Sequence, residues 1–266
     1  MSIKYLTLAL CMAMLATSIQ AETINCTPIT SVPVTITAQG IYCLTGKLGT
    51  NQTSGTAITI NANNVTIDLN GWKVDDGAAG TGTQAYGIYS AANNVTIKNG
   101  IVRGFYWAFY LTGSGAIVQD MLIDSNTYVG IDVSGPGALI EHNQVVNTGG
   151  NTSPGGAYGI VINGDGSTIS DNIVSGLTNG SGGNEYGIYL NNTTSIARNN
   201  VVSNTSIPSG WTSFGFVNSG IALNNTASKF TYGIQSYSGS IYAYNTVTYC
   251  TTDYTGGTTG AGNSGT

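Results

Sequence analysis

The chain has 266 residues, of which 7% are charged and 38 are glycine, whereas an ordinary soluble domain is roughly 25% charged. Seven Lys and Arg against twelve Asp and Glu give a net charge of −5. So thin and mildly acidic a surface excludes a nucleic-acid partner, which needs a basic face, and disfavours anionic membranes.

Residues 1–21 read as a signal peptide. Lys4 is followed by an unbroken apolar and small-residue run from Tyr5 to Ala16, and Ala16, Ser18 and Ala21 offer cleavage points. The run is short for a bilayer span and no later segment competes with it, so the chain is not expected to be an integral membrane protein. Cys11 is assigned to the removed peptide, because Leu10 is too large to precede a lipoprotein cysteine and the position is too early. The mature chain is expected to begin near Glu22, with export to the periplasm, the cell surface or the extracellular space. Without Lys4 the balance is six basic against twelve acidic residues, a net of −6.

Residues 22–50 are expected to cap the first repeating unit. Cys26 and Cys43 flank a segment containing Pro28 and Pro33. In an oxidising compartment they are expected to form a disulfide, worth about 3 kcal/mol in the chain-entropy model. The alternative is a pair of buried thiols. Cys250 is left over near the C-terminal end.

Between residues 51 and 250 the strongest signal is an internal repeat. The pattern is an apolar residue, two positions, usually Asn, one position and a second apolar residue. It recurs as Ile67, Asn70, Trp72; Ile97, Gly100, Val102; Val118, Met121, Ile123; Ile140, Asn143, Val145; Ile169, Asn172, Val174; Ile196, Asn199, Val201; and Tyr242, Asn245, Val247. The first positions lie 30, 21, 22, 29, 27 and 46 residues apart. The two short steps define a bare coil, the longer ones carry insertions, and the last leaves room for a further coil around Ile221. A second pattern begins with glycine: Gly87-Ile88-Tyr89-Ser90, Gly130-Ile131-Asp132-Val133, Gly159-Ile160-Val161-Ile162, Gly187-Ile188-Tyr189-Leu190, Gly220-Ile221-Ala222-Leu223 and Gly233-Ile234-Gln235-Ser236. Ala108-Phe109-Tyr110-Leu111 is the same unit without its glycine.

Physically, each unit is three very short strands joined by turns, with every second side chain inside. No unit buries its apolar face alone, so units stack, and Ile88, Phe109, Ile131, Ile160 and Ile188 are expected to form one interior column. Asn at the turn tolerates a left-handed backbone, and its amide can bond the Asn one coil away. Met121 marks a break in that ladder. A helical reading fails, because no 3.6-residue period is sustained and Gly and Asn punctuate every unit.

The segments 91–100, AANNVTIKNG, and 166–172, GSTISDN, resemble right-handed parallel β-helix repeats of the pectate-lyase-like superfamily, and 34–44, VTITAQGIYCL, resembles the opening of many such secreted proteins. The likeness spans most of residues 34–250. It implies an all-β, single-stranded right-handed parallel β-helix of about eight coils with loop insertions. It implies little about activity, since that fold hosts lyases, hydrolases, epimerases, adhesins and tailspikes. Residues 251–266, rich in Gly, Thr and Ser, are expected to be a flexible tail.

Side chains one position after the interior column face outwards. They read Tyr89, Tyr110, Asp132, Val161, Tyr189, Ala222 and Gln235, beside the glycines. Coils about 4.8 Å apart match the pitch of a sugar chain, and aromatic rings with a few polar groups suit a neutral polysaccharide. Tyr89, Tyr110, Asp132, Tyr189 and Gln235 are therefore the candidate carbohydrate-binding residues. The plainer alternative is that tyrosine suits strands. The insertions at 77–85, 148–156, 176–184 and 204–219 all return just before the glycine strand and are expected to flank this column, with Trp211, Phe214 and Phe216 walling a groove or covering the core.

Two catalytic candidates arise, Asp132 and the sole histidine. His142 belongs to a column reading Leu69, Asn99, Asp120, His142, Asp171 and Arg198. It is either a general base tuned by Asp120 and Asp171 or one rung of a charge ladder whose pairs contribute a few tenths to about 1 kcal/mol. The resemblance favours the ladder, because in the enzymes the cleft lies by the first strand and this column sits between the other two. Lys73, Arg103 and Asp124 form a third cluster, in which Asp75, Asp76 or a uronate carboxylate would separate the two cations.

A uronate lyase or epimerase needs a cation or Ca²⁺ and a base in one cleft, and the Tyr89/Asp132 face has no Lys or Arg. The Gly-His-Gly element of polygalacturonases and the Asp-Pro-His-Asp element of alginate epimerases are missing. One histidine and no paired Cys motif suggest neither a metal site nor a cofactor. The expected function is that of a secreted or surface-associated β-helix that binds a polysaccharide or surface glycan without catalysis. The alternatives are a polysaccharide lyase, glycosidase or epimerase, and a purely structural, adhesin-like solenoid.

Overall fold

The computed structural model describes residues 25–153, 155–180 and 182–266, so the expected signal peptide lies outside the described residues. Every strand pairing in it is parallel, and consecutive coils add one strand to each of three sheets, forming a parallel β-helix. Parallel crossovers of this kind take a right-handed sense. The first sheet runs through Thr56–Ile60, Tyr86–Ser90, Trp107–Leu111, Val129–Val133, Ala157–Ile162, Glu185–Leu190 and Ser213–Asn218. Its expected interior column is in register: Ile88 pairs with Phe109, Phe109 with Ile131, Ile131 with Ile160 and Ile160 with Ile188. All five are fully buried.

The repeat between residues 51 and 250 supplies eight coils, and each end adds one. Val34–Ile36, Gly40–Leu44 and Leu48–Gly49 make a first coil inside the segment expected to be only a cap. Capping falls to Thr27–Ile29, which pairs with Gly40–Leu44 and is held there by the Cys26–Cys43 disulfide, with 5.8 Å between the Cα atoms. At the other end the expected tail is instead ordered into Thr252–Thr259 and Ser264–Gly265. A Gly/Thr-rich segment can do this because the preceding coil supplies the backbone partners, and Tyr254 stacks on Tyr242 at 5.3 Å.

The turn between the second and third sheets carries an amide ladder. Asn143, Asn172, Asn200, Asn225, Asn245 and Asn263 each pass a side-chain N–H to the Oδ1 of the next at 3.0–3.2 Å. Each Nδ2 of the first five also bonds a carbonyl of the previous coil, as Asn172 does to Ile140 at 2.9 Å. The ladder begins at Met121, whose backbone N–H donates to Asn143 Oδ1. The left-handed residue is the one before each rung: Asp120, ahead of Met121, and His142, Asp171, Asn199, Asn224 and Tyr244, ahead of the first five asparagines, have φ of 53–59°, and Gly262, ahead of Asn263, has φ of 73°.

Two repeat copies need correction. Ile169 pairs with Ala197 and Val174 with Val202, so that coil reads Ala197, Asn200, Val202 rather than one residue earlier. The adjacent Asn199 and Asn200 made both registers plausible. In the first copy Val74, not Trp72, lies under Val102, and Trp72 is exposed. The insertions do pack side by side. Asn151 Nδ2 donates to the Thr83 carbonyl at 3.2 Å, Gln84 Nε2 to Ser153 Oγ at 3.3 Å, and the Gly155 N–H to the Gly182 carbonyl at 2.9 Å. Glu185, buried at the base of the later insertions, accepts from the Asn179 N–H at 2.9 Å and from Asn204 Nδ2 at 2.7 Å.

Candidate functional site: an aromatic face on the first sheet

The outward column of the first sheet contains the expected residues. Tyr89 pairs with Tyr110, Tyr110 with Asp132, Asp132 with Val161 and Val161 with Tyr189. The next position is Val217, not Ala222, and then Gln235. Ala222 belongs to the second sheet over Ala197 and is buried. The glycine strand of that coil is therefore Gly215-Phe216-Val217, and Gly220 is not its glycine.

A second row lies beside the first and was not anticipated. Tyr86, Trp107, Tyr158, Tyr186, Phe214 and Tyr232 each immediately precede the glycine position; five are partly exposed, and Phe214 is buried between the stacked rings of Tyr186 and Tyr232. The reason is a slip in the alternation at the glycine. In Tyr86–Ser90 the residues Gly87 and Ile88 are both buried while Tyr86 and Tyr89 are both partly exposed. A Cβ on Gly87 would lie 2.6 Å from the Ala108 carbonyl and 2.8 Å from Val102 Cγ1. Glycine is thus required for room, and the aromatic before it is thrown onto the same face as the one two positions after it. The sequence signal was an aromatic directly ahead of Gly87, Ala108, Gly159, Gly187, Gly215 and Gly233.

The rings stack along the helix axis. Tyr86 lies 5.0 Å from Trp107 at 3°, Tyr158 4.7 Å from Tyr186 at 11°, Tyr186 5.1 Å from Phe214 at 8°, and Phe214 5.3 Å from Tyr232 at 10°. Tyr106 and Tyr128, from the turns leading into the sheet, stack on each other at 4.6 Å. Of the aromatics in the last insertion, Phe214 joins the row, Phe216 enters the core and Trp211 is exposed.

Asp132 lies in a depression of about 200 Å³ lined by Trp107, Tyr128, Val129, Tyr158, Val161 and Tyr189. Burial pushes its carboxyl up to about 6, against the opposing effect of hydrogen bonds from Ser134 and Asn163. Those bonds are long, 3.4 Å each, and both end on Oδ1. Burial raises both Tyr158 and Tyr128, with the neighbouring phenols adding to it at Tyr158 and the Asp132 charge at Tyr128, so both phenols stay protonated at ordinary pH. A second hollow of about 340 Å³ continues along the row between Tyr158, Tyr186, Tyr189, Phe214, Gln235 and Tyr237.

The other candidates lie elsewhere. His142 is exposed at the corner between the second and third sheets, away from the aromatic face. Its column continues to Asn199 rather than Arg198, because the left-handed positions define it. Asp171 accepts from Asn199 Nδ2 at 3.2 Å, and among the described residues no ion pair within 4.0 Å joins His142 to Asp120 or Asp171. Arg103 does meet Asp124, at 3.7 Å. Lys73 is not stacked on Arg103, since Asp75 pairs with Arg103 in register, and Asp75 lies 3.2 Å from Lys73 and Lys47 and 3.9 Å from Arg103. The protein's own carboxylate thus fills the place a uronate would take. No group of three or more His, Cys, Asp or Glu among the described residues is arranged to hold a metal, and no helix among them is long and apolar enough to cross a membrane.

Fold and face together define a parallel β-helix protein with an aromatic surface along one sheet. No family model matches the chain, and no curated protein matches it. Among solved structures it is similar to the Dettilon tailspike protein, with a TM-score of 0.58 and 18% identity over 88% of this chain and 51% of the tailspike chain. The chain spans about half the length of that protein, and the likeness is one of fold.

Proposed function

We propose that this is an exported or surface-associated β-helix, related to the pectate-lyase-like superfamily, that binds a polysaccharide along the aromatic face without chemistry. The observation that carries this reading is the pair of outward rows, Tyr86 to Tyr232 and Tyr89 to Gln235, which repeat at coil spacing beside two hollows. Aromatic faces and edges meet the C–H surfaces of sugars, while phenols and amides meet their hydroxyls. Export is supported by the Cys26–Cys43 disulfide, a bond kept in oxidising compartments, and by the apolar N-terminal run.

A catalytic reading has one specific support, the carboxyl of Asp132 pushed up to about 6 in a hollow, as a general acid requires. Glycoside hydrolysis needs a second carboxylate across the bond, and among the described residues Asp132 is the only acid lining that hollow. Binding is therefore preferred. Incubation of the mature protein with soluble polysaccharides, followed by size-exclusion chromatography, tests both. Co-elution with polymer of unchanged length, lost in the Tyr89→Ala/Tyr110→Ala double variant, is expected. Shortened polymer would make it a depolymerase, with Asp132→Asn abolishing the activity. Neither co-elution nor shortening would leave the structural, adhesin-like reading.

A further inference from the structure

Towards the C-terminal end of the aromatic face the two outward rows form a corner. Tyr186 has a parallel ring on each of its faces, Tyr158 at 4.7 Å and Phe214 at 5.1 Å, so only its edge is left to meet Tyr189, at 5.6 Å and 71°. Tyr189 therefore stands across the ladder like a wall. Tyr237 lines the same hollow two coils further on and acts on the Tyr189 hydroxyl, which burial first and the Tyr237 phenol second raise above the ordinary phenol value. The hollow measures about 340 Å³, at the lower end of the roughly 300–1,000 Å³ of ligand sites. Five aromatic side chains and the carboxamide of Gln235 line it, and no charged group does. Gln235 is partly exposed, and among the described residues no protein group bonds its side-chain amide.

We propose that this hollow seats a 2-acetamido sugar, with its acetamido group paired to the Gln235 side chain and its methyl group against the rings of Tyr186, Tyr189 and Phe214. The inference rests on the glycan-binding reading and deepens it from a surface to one class of sugar. A carboxamide offers one acceptor and two donors, and the N–H and C=O of an acetamido group match them as a planar pair. The methyl is the apolar end of such a sugar, and an aromatic corner takes it out of water favourably. A plain hexose carries a hydroxyl at that carbon and would set a polar group against the rings. A sugar bearing a carboxylate or an ammonium would bring its charge into a lining with no counter-charge.

The test is an array of immobilised oligosaccharides of N-acetylglucosamine and N-acetylgalactosamine beside their glucose and galactose counterparts, probed with wild type and Gln235→Leu. Wild type is expected to bind the acetamido members about tenfold more tightly than the plain ones. Gln235→Leu keeps the bulk and removes the amide, so that preference is expected to fall about tenfold while binding of the plain members holds. Saturation-transfer NMR of wild type with the methyl glycoside of the preferred sugar gives a readout that stands even if Gln235→Leu fails to fold. There the acetyl methyl protons are expected to take up the most magnetisation from the aromatic protons. Equal binding of plain and acetamido members would overturn the subsite while leaving the aromatic face intact. So would a folded Gln235→Leu with the wild-type preference, or an acetyl methyl signal weaker than those of the sugar ring. Binding to none of these sugars would also overturn it, and the co-elution assay above then decides the glycan reading separately.

Discussion

The indole of Trp107 lies 5.0 Å from the ring of Tyr86 and within 3° of parallel, so each covers one face of the other. A ladder of this kind presents ring edges along most of its length and a free face only at an end or an interruption. Trp107 also lies 5.7 Å from Tyr110 at 28° and meets Tyr106 and Tyr128 edge-on at 4.7 and 5.4 Å, so it is the most contacted ring of the face. Trp107→Ala is expected to weaken binding of a neutral oligosaccharide about tenfold by calorimetry, with stability lowered by about 1–3 kcal/mol because four ring contacts go with the indole. A large loss of stability with unchanged affinity would show that the indole serves the scaffold alone.

The amide ladder predicts a sharp difference between two asparagines. The fully buried Asn172 side chain makes four hydrogen bonds, accepting two from Asn143 and donating one each to the Ile140 carbonyl and Asn200 Oδ1. Asn172→Ala leaves those partners unsatisfied and is expected to cost about 2–4 kcal/mol in urea unfolding. Asn191 makes a similar amide contact to Asn163 at 3.1 Å but on the exposed surface, so Asn191→Ala should cost less than about 0.5 kcal/mol. Equal costs would mean that burial does not set the strength of the ladder.

Gly130 is required by close approach. An added Cβ would lie 2.6 Å from the Gly159 carbonyl and 2.6 Å from Val145 Cγ1. Neither backbone nor core valine can yield, so Gly130→Ala is expected to destabilise by about 1–3 kcal/mol. Gly137, with φ of 69° but open space around its Cβ position, offers the comparison. There Gly137→Asn, which tolerates the left-handed region, should be nearly neutral in the same melting assay.

The raised carboxyl of Asp132 makes stability depend on pH in a definite sense. Its ordinary value is 3.8 and its folded value about 6. Between the two the folded state holds more protons than the unfolded state, so stability falls as pH rises through that window and levels off above it. With the partial water access of this group the contribution is about 1–2 kcal/mol. Burial also raises Glu185 and Asp76, so the quantity to measure is the difference between wild type and Asp132→Asn at pH 4 and pH 8. The variant is expected to gain relative stability at pH 8, and a constant difference would show that Asp132 is not the responsible group.

Periodicity made much of the scaffold readable. Ile88, Phe109, Ile131, Ile160 and Ile188 recur because each coil has to bury an apolar face against the next, and of the two readings open for Cys26 and Cys43, a disulfide or buried thiols, the structure has the disulfide. The outward column Tyr89, Tyr110, Asp132, Tyr189 was legible for the same reason. The row from Tyr86 to Tyr232 was missed because strict alternation places the residue before glycine out of phase with the residue two after it. Only the close approach of neighbouring backbones, which makes the chain slip at Gly87, puts both on one face.

The sequence by itself determined that the chain is a stack of short parallel strands with asparagine at one corner and aromatics outside, since these are local consequences of composition and repeat length. Tertiary structure decided the register between coils. Whether Ile196 or Ala197 faces in, whether Val217 or Ala222 continues the outer column, and whether the last sixteen residues join the helix depend on pairings 17 to 28 residues apart.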